Sequence, residues 1–311
     1  MRLSQRRKQS FGTFVCILLV IAACLFLERM GYLDFLEEPE SVSAMTPAAP
    51  AQGTLEVYVL DVGQGDSILI RGSEKTVLID ASVADAGTAI LEDLQALGVT
   101  KLDLLINTHP HNDHFGGMRK VMSGVETAAV LLAPVPAELV PTTVSYEKLI
   151  TYLQEHEIPT SAAEPGTVYD LGGGGTLTIL GPQKEFHNLN SCSIVCRVDF
   201  GETSFLFTGD MESDAEKDLL ERNVLLEADV LKAGHHGSST SSSKKFLQAV
   251  NPTYVAISCG LNNDYGHPHD EAMARFEALD CTIYRTDLDG TITFITDGKT
   301  LTATVEKDTG R

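Results

Sequence analysis

The stretch Asn107-Thr108-His109-Pro110-His111-Asn112-Asp113-His114-Phe115-Gly116-Gly117 places three histidines and an aspartate within six residues, in the pattern H-x-H-x-D-H. Packing alone gives no reason for that density of imidazole. Imidazole nitrogen and carboxylate oxygen are donors that suit zinc and neighbouring divalent metals. A tight loop with alternating ligands can point two side chains at one ion and the next pair at a second. The preceding run, KLDLLINT at 101–108, is apolar and stops abruptly at the histidines. That pattern predicts a buried strand delivering a loop at its C-terminal end. Gly116 and Gly117 then let the backbone turn into a short predicted helix, Met118–Met122.

Working outward, apolar or alternating runs at 55–62, 67–71 and 76–79 read as strands, and 88–97 has the spacing of an amphipathic helix. A strand is expected at 125–132 and a helix at 146–157, stopped before Pro159. The segment 167–180, interrupted by Gly172 to Gly175, reads as a hairpin, as do 193–200 and 204–208 around Gly201-Glu202-Thr203. Helices are expected near 212–222, 241–250 and 269–279. Further strands are expected at 228–232, 253–258, 282–286, 291–295 and 301–305. So many strands with interspersed helices exceed one simple sheet, and the pattern predicts an α/β or α+β fold.

Composition bounds the partners. Of 311 residues, 43% are hydrophobic, enough for a substantial core, and the net charge is -20. That charge argues against a broad basic groove for nucleic acid. Bound cations would offset some of it locally, because Asp and Glu are also metal ligands.

The first residues read as a separate object. Arg2, Arg6, Arg7 and Lys8 (within a basic cytoplasmic segment, 1–10) precede a run of 17 residues without charge at 11–27. A positive segment before an apolar stretch predicts a signal peptide or a signal anchor just long enough to span a membrane, with the later domain outside the cell. An uncleaved anchor is the preferred reading, although Ile21-Ala22-Ala23-Cys24 also resembles a lipoprotein cleavage site. The Glu-, Pro-, Ala- and Ser-rich stretch within 28–53 predicts a flexible tether. Cys192, Cys196, Cys259 and Cys281 read as buried small hydrophobes rather than a disulfide framework.

Further motifs join the histidine loop: Leu60-Asp61-Val62-Gly63-Gln64-Gly65-Asp66-Ser67, Leu206-Phe207-Thr208-Gly209-Asp210, Asp229-Val230-Leu231-Lys232-Ala233-Gly234-His235-His236-Gly237-Ser238, and Tyr265-Gly266-His267-Pro268-His269. In this order, over 54–306 and leaving a short tail at 307–311, they resemble the metallo-β-lactamase superfamily. Within it they are similar to the hydrolase domain of ComEC-type competence proteins. The resemblance implies a metallo-β-lactamase-type αββα four-layer sandwich and a hydrolase with two divalent metal ions, Zn or Mn. It implies that His109 and His111 bind one ion, that Asp113 and His114 bind the other, and that Asp210 bridges. Asp210 read by itself is equally an N-cap for the next helix. His235 or His236 completes the second ion's shell. His235 is favoured because it follows the strand directly, leaving His236, Ser238, Thr240 and Asn190 toward substrate.

Asp113 and His267 are expected closest to the chemistry, His267 as a general acid or phosphate ligand. Asp80 is expected to brace the histidine loop, with Asp61, Gln64 and Asp66 setting the geometry of their turn and hydrogen-bonding that loop. Many superfamily members carry one more histidine before the bridging aspartate. Here 188–193 reads NLNSCS, which opens the first site to harder ions such as manganese. His187 is a nearby substitute, and His156 reads as an exposed helix residue. The expected activity is metal-dependent cleavage of a phosphodiester substrate, including DNA in a nuclease linked to DNA uptake. A cell-envelope phosphodiesterase of the teichoic-acid or phosphocholine type and a non-catalytic metal-stabilised module are the competing readings. β-Lactam hydrolysis is disfavoured by the missing histidine.

Overall fold

The computed structural model describes residues 52–307. The basic segment, the apolar run and all but the last two residues of the tether expected at 28–53 lie outside them, as does the tail after Lys307. Among the described residues no helix is long and apolar enough to cross a membrane.

The first half of the chain forms β1 (Leu55–Val59), β2 (Ile68–Arg71), β3 (Thr76–Ile79), α1 (Gly87–Ala96), β4 (Lys101–Leu102), β5 (Leu104–Asn107), α2 (Asn112–Phe115), α3 (Met118–Met122), β6 (Glu126–Thr127), β7 (Val130–Leu132), α4 (Val144–Glu155) and β8 (Thr160–Ala162). The second half forms β9 (Val168–Gly172), β10 (Gly175–Gly181), β11 (Val195–Phe200), β12 (Thr203–Phe207), α5 (Ser213–Glu221), β13 (Val230–Lys232), α6 (Lys244–Val250), β14 (Tyr254–Ile257), α7 (Asp270–Glu277), β15 (Thr282–Arg285), α8 (Thr286–Asp289), β16 (Ile292–Thr296) and β17 (Leu301–Val305). One sheet runs β17-β16-β1-β2-β3-β5-β7-β8, so the last two strands return to complete the sheet of the first half. The other runs β15-β14-β13-β12-β11-β10-β9.

Alternation along the strands explains the layers. Val77 and Ile79 of β3 and Ile68 and Ile70 of β2 face inward and meet Val198, Phe200, Phe205 and Phe207 from the opposite sheet. Leu78, Leu69 and Leu105 face outward under Ile90, Leu94, Met118 and Leu149 of the first helical layer. On the far side Leu206, Leu231 and Val255 lie under Leu219, Phe246 and Phe276. Central strands such as β5, β12 and β13 are thus buried on both faces, which is why their sequences read as continuous apolar runs. The αββα four-layer sandwich expected from the resemblance is the observed architecture.

Local expectations shift at several ends. The strand expected at 125–132 splits into β6 and β7. The helix expected from 241 starts at Lys244, because the Ser243 side chain accepts from Phe246 N–H and caps it. Ser241, inside the span where the helix was expected, donates to the Met211 carbonyl at 2.7 Å.

In each sheet a parallel group carries the site. β3, β5 and β7 run parallel in one, and β12, β13 and β14 in the other. The two groups of C-terminal ends lie side by side, tied where Ile194 N–H donates to the Thr108 carbonyl at 2.8 Å. Loops at such ends are where open α/β sheets hold ligands.

Candidate metal centre

Asp80, directly after β3, is fully buried with a positive φ of 58°. Its carboxylate accepts from Thr108 N–H at 2.8 Å, from Thr108 Oγ1 at 2.6 Å and from Asn107 Nδ2 at 3.2 Å. It also meets His114 Nδ1 at 2.7 Å, which leaves His114 Nε2 facing the cluster. The histidine loop then coils into α2, with His111 at its N-cap. That turn, which the sequence reading did not anticipate, sets Asp113 and His114 on successive helical positions beside His109 and His111. The Asp66 N–H donates to the Asp113 carbonyl at 3.2 Å. The backbone approaches so closely there that a Cβ on Gly65 would sit 2.4 Å from the Asp113 carbonyl oxygen. Only glycine fits.

From the second sheet Asp210 enters three residues after β12. Its N–H donates to Ser193 Oγ at 3.0 Å, and the same hydroxyl lies 3.3 Å from His109 Nδ1. Asp210 does not cap α5, whose N-cap is Glu212. Its Oδ2 lies 3.3 Å from His114 Nε2, 3.6 Å from His109 Nε2 and 3.7 Å from His235 Nε2. Its Oδ1 lies 3.6 Å from His236 Nε2.

After β13 both His235 and His236 are left-handed, at φ 51° and 54°. Two consecutive non-glycine residues in that region carry strain that the surroundings must impose. The turn sends the two rings different ways. His236 is buried, with Nδ1 donating to the Ser258 carbonyl at 3.0 Å and Nε2 3.5 Å from Asp113 Oδ2. His235 stays at the rim, its Nδ1 3.3 Å from Thr240 Oγ1 and 3.6 Å from Glu212 Oε1. The structure therefore groups His236, and not the favoured His235, with Asp113 and His114.

Of the four three-donor groups among the described residues, two are built on the histidine loop and the two strand-end donors: His109, His111 and Asp210, and Asp113, His114 and His236; the other two draw in Asp66, with Asp80 and His114 and with Asp210 and His236. Within each, the donor atoms lie within 4.8 Å of one another. His114 Nε2, His236 Nε2 and Asp210 Oδ1 are buried without a hydrogen-bond partner. Buried polar atoms are rarely left so, and three of them converging on one volume match a bound cation. The donor set, imidazole and carboxylate, fits divalent metal.

The electrostatics agree. Burial pushes His109 and His111 below the ordinary histidine value, so both are neutral donors. Burial opposes charge on His236, but Asp210 and Asp66 outweigh it and raise the ring to about 10. Burial likewise opposes charge on His114, which Asp210 and Asp80 hold well above normal. Burial would raise Asp210, yet His114, His236 and His109 hold it well below the carboxylate range. In this cluster protons stand where cations would compensate the carboxylates.

Asp66 and Lys232 form a fully buried ion pair at 2.9 Å, and Asp66 Oδ1 lies 3.3 Å from His236 Nδ1. Lys232 also donates to the Ala233 carbonyl at 3.0 Å. Neither Lys232 nor Ser193 was assigned a role from sequence. Their signals were their places, one at the end of β13 and the other where an expected histidine is missing.

The remaining candidates divide. Gln64 Oε1 accepts from Gly260 N–H at 3.2 Å. Asp61 does not reach the histidine loop: its carboxylate takes Gly63 N–H at 3.5 Å and pairs with Lys307 at 2.8 Å. Asn190 Nδ2 donates to Glu212 Oε1 at 3.1 Å, which places Asn190, Glu212, His235 and Thr240 along one rim. Ser238 is buried with Oγ 3.1 Å from Thr240 Oγ1. His267 lies with its ring centroid 5.4 Å from His235, its Nδ1 buried and unpartnered. Burial, then His236 and His235, lower it to about 4, so its ring is neutral at neutral pH. His269 faces away, its Nδ1 accepting from Ser239 N–H at 3.0 Å. His187 and His156 are exposed, and Cys192 is buried against the second helical layer.

Known proteins match this arrangement. The competence protein ComA of Neisseria gonorrhoeae is 34% identical over 252 residues, 80% of this chain and 33% of its own. ComE operon protein 3 of Bacillus subtilis is 28% identical over 267 residues, 80% of this chain and 34% of its own. The chain thus spans about a third of the length of these relatives. Among solved structures, the CmlA beta-hydroxylase E377D mutant superimposes with a TM-score of 0.50 at 14% identity, over 79% of this chain and 54% of its own, a likeness of fold alone. The family model of the metallo-beta-lactamase superfamily matches residues 60–260. The chain belongs to the metallo-beta-lactamase superfamily, and within it resembles the competence-protein branch.

Proposed function

We propose that this protein is a two-metal hydrolase that cleaves phosphodiester bonds, with nucleic acid as its substrate class. The observation that carries the reading is the pair of adjacent three-donor groups, with Asp210 touching both sets of rings. His109, His111 and Asp210 would hold one divalent ion, and Asp113, His114 and His236 the other. Such ions, when bound, supply positive charge that acidifies water and neutralises phosphoryl oxygens. Zinc suits the imidazole donors. Manganese suits the first group, which has a serine hydroxyl where another nitrogen would harden zinc preference.

The protein's own groups do the rest. Asp80 and the Ser258 carbonyl fix the tautomers of His114 and His236, so that Nε2 of each faces the cluster. His267, whose ring lies 5.4 Å from that of His235, is placed to hold a phosphate oxygen by one hydrogen bond. Asn190, His235 and Thr240 form the rim against which the flanking chain lies. Similarity to competence proteins supports DNA as the polymer, and the apolar run at 11–27 supports a membrane-tethered, extracellular placement.

The test uses the purified chain stripped of metal and resupplied with zinc or manganese. Bis-p-nitrophenyl phosphate and single-stranded DNA are the substrates, with His111→Ala and Asp113→Ala as controls. Metal-dependent cleavage of both, lost in the controls, supports the reading. Metal binding without cleavage of either would move the assignment to an envelope polymer or a binding role. No metal binding would remove the site assignment.

A further inference from the structure

Most large apolar side chains are buried, but two exposed ones share the loop beside His267. Leu261 is 67% exposed and Tyr265 64%. Tyr265 is the one aromatic among the exposed large hydrophobics of the described residues.

The loop is not loose. The Asn263 side chain accepts from Tyr265 N–H at 3.2 Å and His267 N–H at 3.0 Å. It donates to the Gly260 carbonyl at 2.9 Å and the His267 carbonyl at 2.6 Å. His269 Nε2 donates to the Tyr265 carbonyl at 3.1 Å. One asparagine and one histidine therefore fix the backbone that presents the tyrosine.

The rings form a ladder from solvent to the donor cluster. Tyr265 and His267 are near parallel, 5.6 Å apart at 19°. His267 and His236 follow, 6.1 Å apart at 29°. A flat apolar face is held in water, one ring beyond His267, which lies 5.4 Å from His235 at the rim of the donor cluster.

We propose that Tyr265, flanked by Leu261, is a stacking platform for a nucleobase adjacent to the scissile phosphate of a single-stranded nucleic acid. The proposal rests on the phosphodiesterase reading above and adds the side chain that selects a base-bearing strand. Charge makes such a platform necessary. At a net charge of -20 the protein cannot hold a polyanion by a broad basic surface. Base stacking does not depend on net charge, tolerates every base, and needs an unpaired strand. The lone aromatic is too little for a cage around a quaternary ammonium.

The test compares oligothymidylate with an abasic oligonucleotide of the same length and charge. Tyr265→Ala should raise KM for oligothymidylate about tenfold or more beyond any change for the abasic strand, while Tyr265→Phe restores it. Equal losses on both strands would overturn the platform and leave Tyr265 as a support for His267. Cleavage of the abasic strand as well as oligothymidylate by the parent protein would also overturn it. A binding arm separates this failure from failure of the hydrolase reading. The sequence contains no tryptophan, so Tyr265→Trp installs a single reporter. In the metal-loaded protein, cleavage-resistant phosphorothioate oligothymidylate should quench its fluorescence and an abasic phosphorothioate strand of the same length should not. Absence of that quench overturns the platform whether or not any phosphodiester is cleaved.

Discussion

The two halves of the sandwich reach the same donor cluster by different means. The first half delivers His109, His111, Asp113 and His114 from one loop, wound into a helical turn and held by Asp80. The second half delivers Asp210 and His236 singly, from the ends of two parallel strands. The loop's four donors sit on or beside one helical turn, braced by the Asp80 carboxylate and by the Asp66 N–H on the Asp113 carbonyl. The strand-end donors are fixed by contacts spanning many residues: Ser193 under Asp210, Ser258 behind His236, and the Asp66–Lys232 pair beneath it. A compact motif carries its own geometry, whereas dispersed donors borrow theirs from the packed body.

The sharpest way to break the comparison is at Lys232. Its ammonium is 1% exposed, paired with Asp66, also 1% exposed. Burial alone would raise the Asp66 pKa, but Lys232 and then His236 hold it far below the carboxylate range. Lys232→Met leaves that carboxylate buried without its ammonium and with only His236 Nδ1 beside it at 3.3 Å, at a cost of about 3–5 kcal/mol. Denaturant unfolding measures the loss, and Lys232→Met with Asp66→Asn should recover part of it. A neutral single variant would mean that the second half does not depend on the buried pair.

Next in size is the contrast between the paired histidines. His236→Ala should weaken binding of one metal equivalent by more than about 100-fold, since a ligand should matter at least as much as its outer partners. His235→Ala should keep both equivalents, because His235 sits at the rim. Titration calorimetry with zinc decides between them. Equal losses would make both histidines ligands and erase the assignment by burial.

Asp80 tests the first half. Asp80→Asn keeps the shape but removes the charge that receives Thr108 and orients His114. Outer partners of metal ligands typically account for 10–100-fold in affinity, and a loss of about that size is expected by competition with a chelating dye. No change would show that the histidine loop holds itself.

These contrasts also mark what the sequence could disclose. The H-x-H-x-D-H loop and its preceding strand are local patterns that marked four of the six donors, whereas the four layers came from the family resemblance, since the apolar runs alone allowed other α/β or α+β folds. Asp210 was legible from its motif but ambiguous with a helix cap until its oxygens were seen among four imidazoles. The choice between His235 and His236 was not legible. It depends on two left-handed residues and on a carbonyl 22 residues away, and no local pattern encodes either. Asp61 misled for the opposite reason: its motif runs continuously to Asp66, yet the chain turns between them and sends Asp61 to Lys307. Lys232 stood inside a quoted motif at the end of β13 but was given no role, because a lysine at the end of an apolar strand ordinarily lies at the surface.

The smallest predicted effect concerns Ser193, where the second half meets the first through a single hydroxyl. Its Oγ accepts from Asp210 N–H and lies within reach of His109 Nδ1, so one atom positions a donor from each sheet. Ser193→Ala leaves the Asp210 N–H buried without a partner and His109 Nδ1 with only Thr108 Oγ1, at 3.2 Å, beside it. Losing one such bond costs about 1 kcal/mol, and metal affinity of the His109 group should fall about tenfold. Because the hydroxyl touches no donor of the other group, the Asp113, His114 and His236 equivalent should weaken far less. Calorimetry resolving two metal equivalents reads both at once. A selective loss places the coupling of the two halves at this hydroxyl, while equal losses would mean that Asp210 carries the disturbance to both groups.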